Sequence, residues 1–384
     1  MLRAMLLAFV LLAAALTHAS AEDYYRYPLS HQAFYPAEVV SESPKLVGKY
    51  GLVNVGIHTA SKASPVVEDG VIYVGADSGT FYAINDSDLS VKWTFQVRKS
   101  AEEGIHCTAA IDDKHVFVGD YAGWLYAFDK ATGRLSWQTE LGESIGASPV
   151  IWDDRVCVGV ETTAPDGFLS CVDRKTGKLL FNSPRFGDHT HSTPTIDVET
   201  GQVFLGANSS SFYGLNGANG KIQWSVKTKG EIKSTAALFD GFLLFTSWDG
   251  HLFKVSRKTG EVAWRFQTRD LSMSSPAVDP DSRMVFFGSD DGYLYAVGFD
   301  DGKEKWRFRT SGPISSSPVI VSRRDGAGKM VIFGSRDRFL YGLDEKTGAR
   351  LWSFVTQGPV TGVPAIKNGR IYVSGDDGWL YVLQ

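Results

Sequence analysis

The stretch YAFDKATGRLSW at residues 126–137 returns along the chain in altered form. Its relatives are YGLNGANGKIQW (213–224), FKVSRKTGEVAW (253–264), YAVGFDDGKEKW (295–306) and YGLDEKTGARLW (341–352), with weaker copies ending at Trp93 and Phe181. In the clearest copies a small residue is followed six positions later by Gly and four after that by Trp, as in Ala127, Gly133, Trp137 and in Gly342, Gly348, Trp352. The flanking runs are β-branched and aromatic and are separated by Gly and Asp, which is the chemistry of strands and tight hairpins rather than of helices. Aligned copies give a unit of about 40–46 residues, the length of a propeller blade. In the sixth unit SSPAV, RMVFFGS, YLYAVG and EKWRFRT read as four strands of an antiparallel meander.

Gly in the repeated stretch allows the reversal between third and fourth strands, and an outer-strand Trp brings a large apolar ring to the neighbouring blade. Trp93, Trp137, Trp224, Trp264, Trp306 and Trp352 are therefore read as blade-docking residues. Eight second-to-third hairpins are present, but the docking strand appears seven times, because the sequence stops just after WLYVLQ. Residues 51–67 are expected to supply the eighth: Val53 lies twelve positions before Pro65, the spacing of Trp306 to Pro318 and of Trp352 to Pro364. The reading is an all-β, eight-bladed β-propeller over 53–384, closed by an N-terminal strand that removes the open sheet edges.

The ungapped spacing A-x-D-x-x-T-G-x-x-x-W from Ala127 to Trp137 closely resembles the tryptophan-docking repeat of the quinoprotein-type (PQQ-like) propellers. A single propeller behind an export signal is most similar, within that superfamily, to the BamB-type outer-membrane assembly propellers. That resemblance implies a non-catalytic scaffold that binds a protein or peptide. The quinoprotein dehydrogenases of the superfamily imply an alternative, a small-ligand-binding or quinone-dependent oxidoreductase using the central funnel, with a calcium held by carboxylate and amide groups and often a pair of adjacent cysteines. No such pair and no C-x-x-C-H motif is present, so no cofactor is assigned and an enzyme is the lesser expectation.

Residues 1–21 carry Arg3, an apolar run from Met5 to Leu16 and small residues before Glu22, the pattern of a secretory signal peptide. The run is shorter than the roughly 20 residues of a spanning helix, and no Cys lies near the cleavage site. A secreted or periplasmic, monomeric protein without a membrane span is expected, with residues 22–52 as an extension whose Tyr and Phe pack across the propeller. A net charge of −4 excludes the clustered basic surface of a nucleic-acid binder. Cys157 and Cys171 fall on adjacent expected strands and can pair in an oxidising compartment, leaving Cys107 over.

Loop faces and channels are where propellers present functional groups. Three positions before the Pro, or its equivalent, that opens each blade, one rim carries Lys62, His106, Gly146, His191, Lys233, Met273, Ser315 and Thr361. Behind it Ser64, Thr108, Ser148, Thr193, Thr235, Ser275 and Ser317 form a hydroxylic ring. Lys62, His106, His189, His191 and Lys233 are the candidate binding residues, read as a locally positive concavity for an anionic ligand or acidic peptide. His189 and His191 point to one side of an extended segment; a solvated histidine cluster is the reading, and no metal is assigned. Trp124, Trp248 and Trp379 flank second-to-third turns and are read as partner contacts.

Overall fold

The computed structural model describes residues 31, 33–51, 63–97 and 104–384; the expected signal peptide, Val53 and Lys62 lie outside them. No helix occurs among the described residues. Eight antiparallel meanders, each a separate sheet, span residues 66–96, 110–140, 150–182, 195–227, 237–267, 277–309, 319–355 and 365–383, and are numbered here as blades 1 to 8.

Position within the blade decides the residue pattern. The inner strands are sandwiched between neighbouring blades, so Val71–Gly75 is buried throughout. The outermost strand covers a neighbour with one face only, and Glu304–Arg309 alternates accordingly. The D-x-x-T-G element turns the chain between them: Asp129 Oδ1 accepts from the Thr132 amide at 2.8 Å and from its hydroxyl at 2.6 Å. The Thr132 hydroxyl, then its amide, hold the Asp129 carboxyl below its ordinary value. Gly133 follows with φ 71°. Asp173–Thr176 and Asp344–Thr347 repeat the device.

The same glycine is the seat of blade docking. A Cβ on Gly133 would lie 2.5 Å from the Trp93 ring, and Trp93 Nε1 donates to the Lys130 carbonyl at 3.1 Å. Trp137, Trp224, Trp264 and Trp306 rest on Gly177, Gly260, Gly302 and Gly348 of the next blade, and each gives its N–H to a carbonyl there. Phe181 rests on Gly220 with no N–H to give; its cross-strand partner Cys171 is disulfide-bonded to Cys157 within blade 3. Trp352 donates instead to Met330 Sδ in its own blade.

An N-terminal strand closes the ring, and its register differs from the expected one. We call Phe34–Val40 β1 and Leu46–Tyr50 β2. β2 pairs antiparallel with Leu380–Leu383 and completes blade 8, so the closing strand lies upstream of Val53. Gly48 stands opposite Val382, where other blades carry the docking Trp. Its partner across the junction is Leu89, which replaces the seat glycine of blade 1 at φ 58°; a Cβ on Gly48 would come within 2.7 Å of Leu89 Cδ1.

β1 runs parallel to Val319–Arg323, the first strand of blade 7, and also touches the first strands of blades 6 and 8. First strands of neighbouring blades meet around the axis, so β1 lies inside the central channel. Ala33 accepts from the Ile320 amide at 2.9 Å. Buried His31 reaches across to the Pro194 carbonyl of blade 4 at 3.0 Å. The described leader residues thus reach from blade 7 to blade 4 across the channel.

Candidate functional site

The first-strand openings and the second-to-third turns meet in a cavity of about 270 Å³ on the axis. His106, Gly146, His191, Lys233, Met273, Ser315 and Thr361 line it, with Ser64, Thr108, Ser148, Thr193, Thr235, Ser275 and Ser317 below. Thr193 lines the cavity and the next residue, Pro194, holds His31. His31 therefore lies close to the hydroxyl ring, next to a lining residue of the cup.

The hydroxyl ring stitches the blades together. Ser64 Oγ accepts from the Val363 amide at 2.9 Å, Thr108 Oγ1 from Ser64 at 3.0 Å, and Ser148 Oγ from Thr108 at 3.0 Å. Thr193, Ser275 and Ser317 do the same for Ser148, Thr235 and Ser275. Each oxygen satisfies a strand-opening amide that would otherwise be buried without a partner.

The upper ring departs from the positive concavity expected from sequence, because acidic groups come with the cations. His106 Nε2 lies 3.4 Å from Asp77, and His191 Nδ1 lies 3.1 Å from Glu161. Lys233 Nζ is 3.0 Å from Glu231 and 3.9 Å from the centre of the Trp248 ring. Arg336, a lining residue absent from the sequence reading, offsets part of the upward shift that burial imposes on Asp290. Thr361 donates to Asp376 at 2.8 Å. Tyr121 stacks beside His106 with ring centres 4.2 Å apart; burial first, then the charge of Glu161, pushes its phenol up. These added residues had a signal: Asp77, Tyr121, Asp290 and Asp376 each stand two positions before a turn Gly, and Arg336 two before Arg338 in the same place. Glu161 escapes that rule because blade 3 has a longer turn before Gly167.

His189 sits on the same segment as His191, with its Nε2 2.9 Å from the Thr162 carbonyl. Cys107 is remote in chemistry: it exchanges hydrogen bonds with the Gly119 backbone, and burial pushes its thiol up to about 12. The three turn tryptophans have different surroundings. Trp248 faces the cup, Trp379 lies under Lys49 Nζ at 3.8 Å and against Gly51, and Trp124 packs partly into the core between blades 1 and 2.

Eight meanders around a central cup, six of them carrying the docking tryptophan, define a propeller of the quinoprotein type. A family model described as outer membrane protein assembly factor BamB matches residues 52–158, 97–237, 165–319 and 290–384, and the chain belongs to that family. Among curated relatives, BamB of Yersinia pestis is 26% identical over 242 residues, 58% of this chain and 58% of that protein. The dehydrogenase subunit of the quinone alcohol dehydrogenase of Komagataeibacter europaeus is 22% identical over 290 residues, 63% of this chain and 38% of that protein. The chain thus spans less than two thirds of either relative's length. Among solved structures, BamB from Moraxella catarrhalis superposes with a TM-score of 0.70 at 20% identity, covering 89% of this chain and 99% of that one. A europium-containing methanol dehydrogenase superposes at 0.76 and 14% identity, covering 94% and 88%.

Proposed function

We propose that this protein is an exported, non-catalytic propeller that binds a protein or peptide partner on its loop-rich face, as an assembly factor of the BamB kind. The observation that carries the reading is the self-paired lining of the cup: His106, His191 and Lys233 each already face a carboxylate. The disulfide in blade 3 supports an oxidising compartment such as the periplasm. Among the described residues no helix is long and apolar enough to cross a membrane.

The quinone-dependent alternative draws on the dehydrogenase relatives, and the residues in the cup fit it poorly. A calcium site needs six to eight oxygens. Here Glu161 is flanked by two imidazoles, Asp290 is opposed by Arg336, and Trp248 stands between them in blade order. The cavity, at about 270 Å³, is also at the small end for an organic cofactor.

Two measurements separate the readings. A photo-crosslinking residue at Ser78, Trp124 or Asp249 in the turns is expected to capture a component of the outer-membrane assembly machinery in the exported compartment. Purified protein given quinone and calcium is expected to retain no quinone absorbance after desalting. Retained quinone, together with dye reduction by an alcohol, would replace the scaffold reading with the enzymatic one.

A further inference from the structure

Of the eight rim positions, residue 146 is the one glycine. The point where its Cβ would stand is 2.9 Å from Glu161 Oε1, 2.9 Å from His191 Nδ1 and 3.0 Å from Tyr121 Oη. A carboxylate oxygen, an imidazole nitrogen and a phenol oxygen thus converge on the bare Cα of Gly146 at the wall of the cup, where any side chain would press on all three. His189 Nδ1 lies 3.9 Å from the other oxygen of Glu161. One ligand atom from each of Glu161, His189 and His191 lies within 4.8 Å of the other two.

Two features of this cluster call for a cation. Glu161 is 4% exposed, and its Oε1 has no hydrogen-bond partner among the described residues even with His191 Nδ1 at 3.1 Å. A buried carboxylate oxygen without a partner is costly. In addition, the Thr162 carbonyl can only accept, so His189 Nε2 carries the proton. In the tautomer that carries its proton on Nε2, Nδ1 presents a lone pair on the Glu161 side, the atom a metal would use. A ring N–H given to a backbone carbonyl is the outer contact that orients metal-binding histidines.

We propose that Glu161, His189 and His191 bind a divalent transition metal of the zinc class, with a fourth position open beside Gly146 and Tyr121. Two imidazole nitrogens and one carboxylate form a three-ligand set that suits zinc and leaves it a labile site. A tetrahedral ion with ligand bonds of about 2.0–2.1 Å spaces its ligands by roughly 3.3 Å; the three ligand atoms lie within 4.8 Å of one another, with His191 3.1 Å from one Glu161 oxygen and His189 3.9 Å from the other, so a small side-chain movement would close the set. The open position faces the cup, so a bound metal would offer an anchor for a carboxylate or imidazole reaching in from solvent. The site does not depend on whether the propeller is a scaffold.

The test is titration of the purified, metal-stripped exported protein with Zn²⁺ by calorimetry and with Co²⁺ by visible absorption. One equivalent of Zn²⁺ and the intense ligand-field bands of four-coordinate cobalt are expected. Glu161→Gln and His191→Ala should each weaken binding more than about tenfold. Gly146→Val keeps all three ligands but presses a side chain against Glu161 and His191, and should weaken binding comparably while thermal unfolding of the metal-free protein shows the ring intact. His251→Ala, whose ring pairs with Asp249 in another blade, should leave binding unchanged. Absence of stoichiometric binding, or binding indifferent to both Glu161→Gln and Gly146→Val, overturns the proposal.

Discussion

Between blades 1 and 2, bulk comes from the earlier blade and emptiness from the later one: the Trp93 indole rests on Gly133 and ties itself to Lys130. Between blades 8 and 1 the parts are exchanged. The closing strand brings Gly48, and blade 1 brings Leu89 into the space. Polar ties also come from a different place, with Tyr372 and Arg370 of blade 8 both on Asp86 of blade 1 at 2.8 and 3.0 Å. Complementary volume across the junction is therefore what docking requires, whichever side supplies it. The exchange has a cost, since Leu89 holds a left-handed backbone conformation that disfavours a side chain by about 1–2 kcal/mol.

The comparison breaks most completely if the closing parts are removed. Deleting residues 22–51 takes away both leader strands, leaving blade 8 with an unpaired edge and the channel without β1; loss of the monomer to aggregates is expected in sedimentation. A monodisperse monomer with an unchanged Tm would show that neither strand matters. Next in size, Trp306→Ala empties a regular junction and should cost about 3–5 kcal/mol in denaturant unfolding.

The exchange itself is probed by Gly48→Leu, which meets Leu89 and should cost about 1–3 kcal/mol by overpacking. In the Leu89→Gly background the same change should cost much less, a coupling that a double-mutant cycle resolves. Additive effects would mean that the two residues do not share one space. The smallest effect isolates the indole N–H: Trp93→Phe retains a ring on Gly133 but leaves the Lys130 carbonyl without its donor, for a loss of about 1 kcal/mol.

The regular junctions were legible because one physical demand, a ring seated on a glycine, recurs at fixed spacing, and the fold follows from it. The closing junction was not. Counting twelve residues back from Pro65 assumes that blade 1 is entered by a loop of standard length, and Gly48 carries no mark of standing where a Trp belongs. At the cup, the residues preceding each opening Pro were readable from strand register alone. Their acidic partners take a second register, because they arrive from the second-to-third turns of the preceding blades: Asp77 keeps the shared place two before a turn Gly, while the longer turn of blade 3 hides Glu161. The charge of the rim is thus a property of blade-to-blade neighbours, and a reading of each repeat by itself overstates its positive character. The disulfide was left open by sequence because it needs Cys157 and Cys171 directly opposite one another, a register that a one-residue slip would break.

The two leader strands also set an order of events. β1 takes its partner from blade 7 and β2 from blade 8, so Ser322 donates to the carbonyl of Pro36, 286 positions away. Middle blades can form from neighbours in sequence as they are made. β1 and β2 have no strand partner until blades 7 and 8 exist. Contacts of such separation are slow to find, and a chain made from its N-terminus must keep its leader uncommitted until synthesis is complete. Closure of the ring is therefore expected to be a late and slow step of folding, in which β1 and β2 are threaded into a ring that blades 7 and 8 have almost finished.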